Sequence, residues 1–222
     1  MTSGSARIIA IDGPSGAGKS TVARGVAAAL GLEVLDTGAM YRAVTWAVLE
    51  QGLDPSDEEA CAAVARSVAV EVGERVLVDD RDVSDEIRGP AVTGAVSRVS
   101  AHPSVRSELV ARQREWVRRH DGGVVEGRDI GTVVFPDTPV KVFLTASDEE
   151  RARRRQRDEA GAARPVDLEE VRKSLSSRDH LDSTRSSSPL VQADDALVLD
   201  TTTMSADDAI AAIVARAREA LA

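Results

Sequence analysis

The order of apolar and polar residues along the chain reads as strands and helices in alternation. Residues 7–11 form a short β-branched run that flows into a glycine-rich loop, and a helical period follows over 19–30, ended by Gly31. A second short strand at 33–35 leads to Asp36-Thr37-Gly38, and a helix is predicted from about 39 to 51, with Gly52 as its stop. Ser56-Asp57-Glu58-Glu59 reads as a capping box that opens another helix toward Arg66. The period then shortens to two. Val68, Val70 and Val72, then Val76 and Val78, alternate around a Gly73-Glu74 turn, a hairpin between helices that reads as an insertion. Helices are expected at 84–100 and 103–120, the second with Pro103 at its first position. Val124-Val125 is a short strand and 140–144 a core-like one. A very charged helix at 147–160 is followed by a flexible-looking break, Gly161-Ala162-Ala163-Arg164-Pro165. A helix at 167–184, a strand at 196–199 and a capped helix from Ser205 complete the pattern.

Five candidate core strands, each followed by a helix or short turn, predict an α/β fold: a three-layer α/β/α arrangement around a mostly parallel sheet. No internal repeat or low-complexity linker divides the chain, so one core domain with insertions is expected.

The loop after the first strand is Gly13-Pro14-Ser15-Gly16-Ala17-Gly18-Lys19-Ser20. Strand, glycine loop and helix form the context in which this spacing makes a P-loop. Each part has a chemical reason. Glycines let backbone N–H groups turn toward phosphate oxygens, and the helix that begins at Gly18-Lys19 offers its positive end. Lys19 can reach β- and γ-phosphates, and the Ser20 hydroxyl can ligate magnesium. Asp36 follows a strand at the sheet edge that faces a ligand crevice in open α/β folds. It suits a magnesium-water ligand or an ordinary helix N-cap.

Basic residues cluster in two further places. Arg178, Asp182 and Arg185 are spaced to share one helical face, either as a solvated salt-bridge stripe or as an anion clamp. A P-loop in the same chain favours the clamp, because moving a phosphoryl group between phosphates requires cancelling charge on both. Arg151, Arg153, Arg154, Arg155 and Arg157 crowd one short helix. They make either a charged surface face or a mobile lid that folds over the donor phosphates. Arg112, Arg114, Arg118 and Arg119 read as an exposed face, with Trp116 or Val117 turned inward.

Composition narrows the partners. The net charge is −9 and aromatics are 2% of the chain, which argues against a nucleic-acid surface or base-stacking platform. Only three of the 28 basic residues are lysines, so a lysine kept at position 19 is informative. Cys61 is alone and reads as a small buried side chain. His102, His120 and His180 lack metal-ligand spacing. The apolar run 8–11 ends at Asp12, too short for a signal peptide or membrane span. A cytoplasmic monomer with no membrane or nucleic-acid partner is expected.

Longer strings carry a resemblance. Ile11-Asp12 with the P-loop, Leu35-Asp36-Thr37-Gly38-Ala39-Met40-Tyr41-Arg42, Val83-Ser84-Asp85-Glu86-Ile87-Arg88, Gly127-Arg128-Asp129-Ile130-Gly131-Thr132-Val133-Val134-Phe135-Pro136 and Ser188-Pro189-Leu190 together strongly resemble bacterial cytidylate kinases, over nearly the whole chain. The resemblance implies transfer of the ATP γ-phosphoryl group, with Mg²⁺, to CMP or dCMP. It implies a CORE at about 1–36, 103–146 and 186–222, a nucleoside-monophosphate-binding part with its insertion at 37–102, and a helical LID at 147–170. Residues 13–20 with Thr21, and Arg154 and Arg155 of the lid, would hold ATP. Arg42, Arg128 and Arg185 would clamp the CMP phosphate. Thr37 and Tyr41 would line the acceptor pocket, Arg178 and Asp182 would hold the sugar, and Ser97, Arg106 and Asp129 would read the cytosine edge. Lys19, Arg128 and Arg185 would be the catalytic set, with Ser20 and Asp36 at the metal. Two positions depart from the pattern: Thr37 stands where some members carry serine, and Glu126 where others carry aspartate. The latter is left out of the site. Three other readings compete: a kinase for shikimate or another nucleoside monophosphate, a GTPase switch and a nucleic-acid binder. The switch lacks an Asn-Lys-x-Asp motif.

Overall fold

The computed structural model describes residues 7–161 and 167–221. The break expected at 161–165 falls, beyond Gly161, outside the described residues. In chain order the elements are β1 (Arg7–Asp12), α1 (Lys19–Leu30), β2 (Val34–Asp36), α2 (Thr37–Glu50), α3 (Glu58–Ser67), β3 (Val70–Val72), β4 (Val76–Val78), β5 (Arg81–Asp82), α4 (Pro90–Val99), α5 (Pro103–Arg119), β6 (Gly122–Gly127), β7 (Val140–Thr145), α6 (Asp148–Gly161), α7 (Leu168–Thr184), β8 (Leu197–Asp200) and α8 (Ala206–Ala220).

Five strands pair in the order β2-β6-β1-β7-β8, and every pairing is parallel rather than mostly so. Alternation along β1 explains the layers. Ala10 packs with α2, α3 and α5 on one face, while Ile9 and Ile11 pack with α1 and α8 on the other. Both faces are therefore dry, and only the strand ends are left to carry chemistry. The ends of β1, β2 and β6 lie side by side, with Asp36 opposite Glu126 and Asp12 opposite Gly127.

The insertion is larger than a hairpin. β3 and β4 pair antiparallel around Gly73, and β5 adds a third strand after a turn through Asp79 and Asp80, both left-handed at φ 47° and 66°. Val68 belongs to neither strand. It caps α3 with extended backbone. The N-cap of α3 is Asp57 rather than Ser56, because the Asp57 carboxylate accepts from Ala60 N–H at 3.0 Å. The helix expected at 84–100 is broken. A single 3₁₀ turn, Glu86–Arg88, ends at Gly89, whose extended backbone (ψ 161°) is what a following proline demands, and α4 starts afresh at Pro90.

Two arginines expected on an exposed face have structural partners. Arg112 donates to Val68 O at 2.8 Å and to Ala65 O at 2.6 Å, tying α5 to the end of α3. Arg114 is exposed as expected and also donates to Val134 O and Val133 O. Arg118 and Arg119 do sit on the surface, paired with Glu115. Val117 is buried, and Trp116 stacks on His120 with ring centres 4.1 Å apart. Cys61 is fully buried. Among the described residues no helix is long and apolar enough to cross a membrane.

Candidate active site

Gly13 turns the chain out of β1 at φ 147°, and a Cβ there would lie 2.1 Å from Leu144 O, so no other residue fits. Gly16 (φ 80°) sits under α6, where a Cβ would meet Arg151 at about 3.0 Å. The loop closes on Lys19, which is 8% exposed. Its ammonium donates to Gly13 O at 2.9 Å and Pro14 O at 2.8 Å, so two of its three protons hold the loop in shape. Burial and then the Arg128 charge pull the Lys19 pKa down, opposed by Glu126, Asp36 and Asp12.

Three oxygen donors meet beside the loop. Ser20 Oγ donates to Glu126 Oε2 at 3.0 Å, and Glu126 is paired in register with Asp36. Asp36 is the N-cap of α2, its Oδ1 accepting from Ala39 N–H at 2.9 Å. Burial first and Asp36 second hold the Glu126 carboxyl above its usual range. Two carboxylates and a hydroxyl are hard donors of the kind magnesium takes, and a cation there would relieve their mutual repulsion. Glu126 is thus the residue that sequence reasoning left out. Its position two before Arg128, at a central strand end, was the available signal.

A cavity of about 660 Å³ opens between this loop and the helices of the other sheet face. Its donor side is lined by Ser15, Gly16, Gly18, Lys19, Ser20 and Thr21, whereas Gly13, Pro14 and Ala17 are not on its wall. The far wall carries every acceptor residue expected from sequence, and the structure pairs many of them. Arg106 and Asp129, both buried, form an ion pair, and the Tyr41 ring lies 5.2 Å from the Arg106 guanidinium. Asp182 takes Arg128 at 3.1 Å and Arg185 at 3.7 Å, and Arg185 reaches Asp129 at 3.9 Å. Arg185 does not share a helical face with Arg178 and Asp182. It follows the end of α7 with extended backbone and still turns back to Asp182. Arg42 is held by Ile87 O at 2.9 Å and Thr93 Oγ1 at 3.0 Å. Ser97 lines the wall from α4. The Thr37 hydroxyl also lies on the wall, but it donates to Glu126 O at 2.7 Å, a bond that fixes β6.

The wall is short of anions. Burial, then Arg178, Arg155 and Arg128, bring Arg42 down to about 9, and burial and Arg128 bring Arg178 down to about 10. Arg178 Nε and Arg185 Nη2 are buried without a hydrogen-bond partner. Buried guanidinium nitrogens without a hydrogen-bond acceptor match a phosphate that accepts from several at once.

Of the arginines expected in a lid, Arg154, Arg155 and Arg157 line the cavity and Arg151 does not. Arg154 donates to Thr201 Oγ1 and Glu150 at 3.0 Å each. Arg151 instead holds Ser15 O at 3.0 Å and pairs with Asp179. Among the described residues no three His, Cys, Asp or Glu side chains gather for a metal.

A family model for cytidylate kinase matches residues 9–219. The chain belongs to the cytidylate kinase family. It is 54% identical to a cytidylate kinase of Mycolicibacterium paratuberculosis over 203 residues, 89% of each chain. A cytidylate kinase of Oceanobacillus iheyensis is 47% identical over 202 residues, 89% of this chain and 87% of that one. Among solved structures, an uncharacterised protein from Eubacterium ventriosum aligns with TM-score 0.54 and 14% identity over 97% of this chain and 99% of its own, a likeness of fold. The residues matched to the family model, 9–219, include both walls of the cavity and the insertion.

Proposed function

We propose that this cytidylate kinase family member transfers the γ-phosphoryl group of ATP to CMP or dCMP, giving ADP and CDP or dCDP. It would work as a cytoplasmic monomer on free nucleotides, and the cavity needs no residue from a second chain for either wall. The observation that carries the reading is the cavity itself: a P-loop with Lys19 faces a set of arginines and aspartates, with Arg106, Asp129 and Asp182 buried, across one shared space.

In the proposed roles the backbone of 13–21 and Lys19 hold the donor phosphates. Ser20 with Asp36 and Glu126 would hold magnesium, which when bound would supply neutralisation of phosphate charge. Arg42, Arg128 and Arg185 grip the acceptor phosphate, Arg178 and Asp182 the sugar, and Ser97, Arg106 and Asp129 the base. Cytosine offers an amino donor beside O2 and N3 acceptors, which suit a carboxylate and a guanidinium respectively. An acceptor phosphate oxygen bonds to the γ-phosphorus as the bond from that phosphorus to the bridging oxygen of ADP breaks. No proton need leave the acceptor, so no general base is required. The arginines offset charge on both phosphates, and the 147–170 lid with Arg154 and Arg155 would keep water out.

A coupled assay with CMP, dCMP, UMP, AMP and shikimate as acceptors tests the reading. CMP or dCMP is expected to be turned over fastest, and no turnover with either would overturn the acceptor.

A further inference from the structure

A single turn at Ile130–Val134 follows β6 and opens on Asp129. Aspartate at such a position ordinarily caps its own helix, accepting an N–H two or three residues on. Asp129 makes no such bond, and its carboxylate pairs with Arg106 instead. The first two N–H groups of the turn are nevertheless satisfied. Ile130 N–H and Gly131 N–H donate to the two carboxylate oxygens of Asp12, at 2.8 and 2.7 Å. Asp12 is the last residue of β1, directly before the P-loop, and is 5% exposed.

We propose that Asp12 is a positioning residue that caps the 130–134 turn in place of Asp129 and so frees the Asp129 carboxylate for the acceptor pocket. The inference rests on the reading that Asp129 meets the cytosine edge.

The chemistry of Asp12 fits no simpler purpose. Among the described residues it is in no ion pair, and of the charges around it Asp129 repels it more than Lys19 attracts it. Burial pushes its carboxyl up to about 6, so keeping it ionised is costly. An apolar residue would remove that cost but strand two buried N–H groups, and only a carboxylate offers two adjacent oxygens to a pair of neighbouring donors. If Asp12 were lost, the nearest carboxylate able to cap the turn would be Asp129, at the expense of Arg106. One side chain thus ties the donor loop to the acceptor-reading residue without touching either substrate.

The test is steady-state kinetics with CMP and with UMP for the wild type, Asp12→Asn, Asp129→Asn and the double variant. Each single substitution is expected to raise KM for CMP about tenfold and to cut the CMP-over-UMP preference in kcat/KM about tenfold, with KM for ATP changed less than about twofold. On the Asp129→Asn background, Asp12→Asn should add nothing, as for two residues acting in series. Equal losses with CMP and UMP, or additive losses in the double variant, would reduce Asp12 to a structural role and overturn the proposal. An effect of Asp129→Asn without one of Asp12→Asn overturns the proposal and leaves the acceptor reading standing. No effect of Asp129→Asn sinks that reading, and the proposal with it. If Asp12→Asn does not fold, Asp12→Ser, which keeps an N-cap acceptor, takes its place; failure of both makes Asp12 a fold residue and also overturns the proposal.

Discussion

The two walls of the cavity are built on opposite principles. The donor wall is local: its loop residues Ser15, Gly16 and Gly18 to Thr21 lie in one stretch, and Lys19 is fixed by carbonyls five and six residues away. The acceptor wall is assembled from a distance, with Arg106 and Asp129 separated by 23 positions and Arg128 and Asp182 by 54. Local geometry comes from glycine, a helix start and one lysine, whereas distant pairs hold only when the whole sheet is formed. The donor wall is therefore a motif, and the acceptor wall is a product of the fold.

The harshest way to separate the walls is Lys19→Ala. Turnover is expected to fall about a thousandfold, roughly 4 kcal/mol of transition-state stabilisation, with the thermal melt of the folded chain retained. Turnover within tenfold of the wild type would remove Lys19 from the mechanism. On the other wall, Arg185→Ala should lower kcat/KM for CMP about a hundredfold while ATP affinity, read by calorimetry, stays put. A matching loss of ATP affinity would mean that the walls are not separable. Arg155→Ala, on the lid edge, should change KM for ATP only a few-fold, the smallest of the three effects.

Asp12 sits where the walls meet, and its titration gives a further handle. Its folded pKa is raised, so the folded chain holds that proton more tightly than the unfolded one. Its favourable contribution is full below about pH 4 and is lost as pH rises toward 6, by about 3 kcal/mol. The stability of the wild type relative to Asp12→Asn should therefore decline between pH 4 and 7 in denaturant melts. A constant difference would show that Asp12 titrates normally.

The same division governs what the sequence makes legible. Gly13–Ser20 and the bounds of α1, Lys19–Leu30 with Gly31 behind it, follow from short-range rules and stand as read. Four of the core strands also follow from compact apolar runs, whereas β6, Gly122–Gly127, shows in the sequence only as Val124-Val125. Glu126 and Asp12 are harder to see, since their roles depend on strand register: Asp36 beside Glu126, and Asp12 beside Gly127. Arg112 looks exposed by helical period, yet it is half-buried because its long side chain reaches backbone carbonyls at the end of α3. The break in 84–100 turns on a single Gly89-Pro90 step, which outweighs an otherwise helical composition.

The sheet keeps its two hydrophobic faces apart, and each face backs a different wall. α1 and α8 stand behind the donor loop, while α2 and α5, on the other face, bring Tyr41 and Arg106 to the acceptor wall. Substitutions that refit the acceptor can therefore accumulate on one face without repacking the other. A lineage of such chains can change what it phosphorylates while inheriting unaltered the means by which it holds ATP.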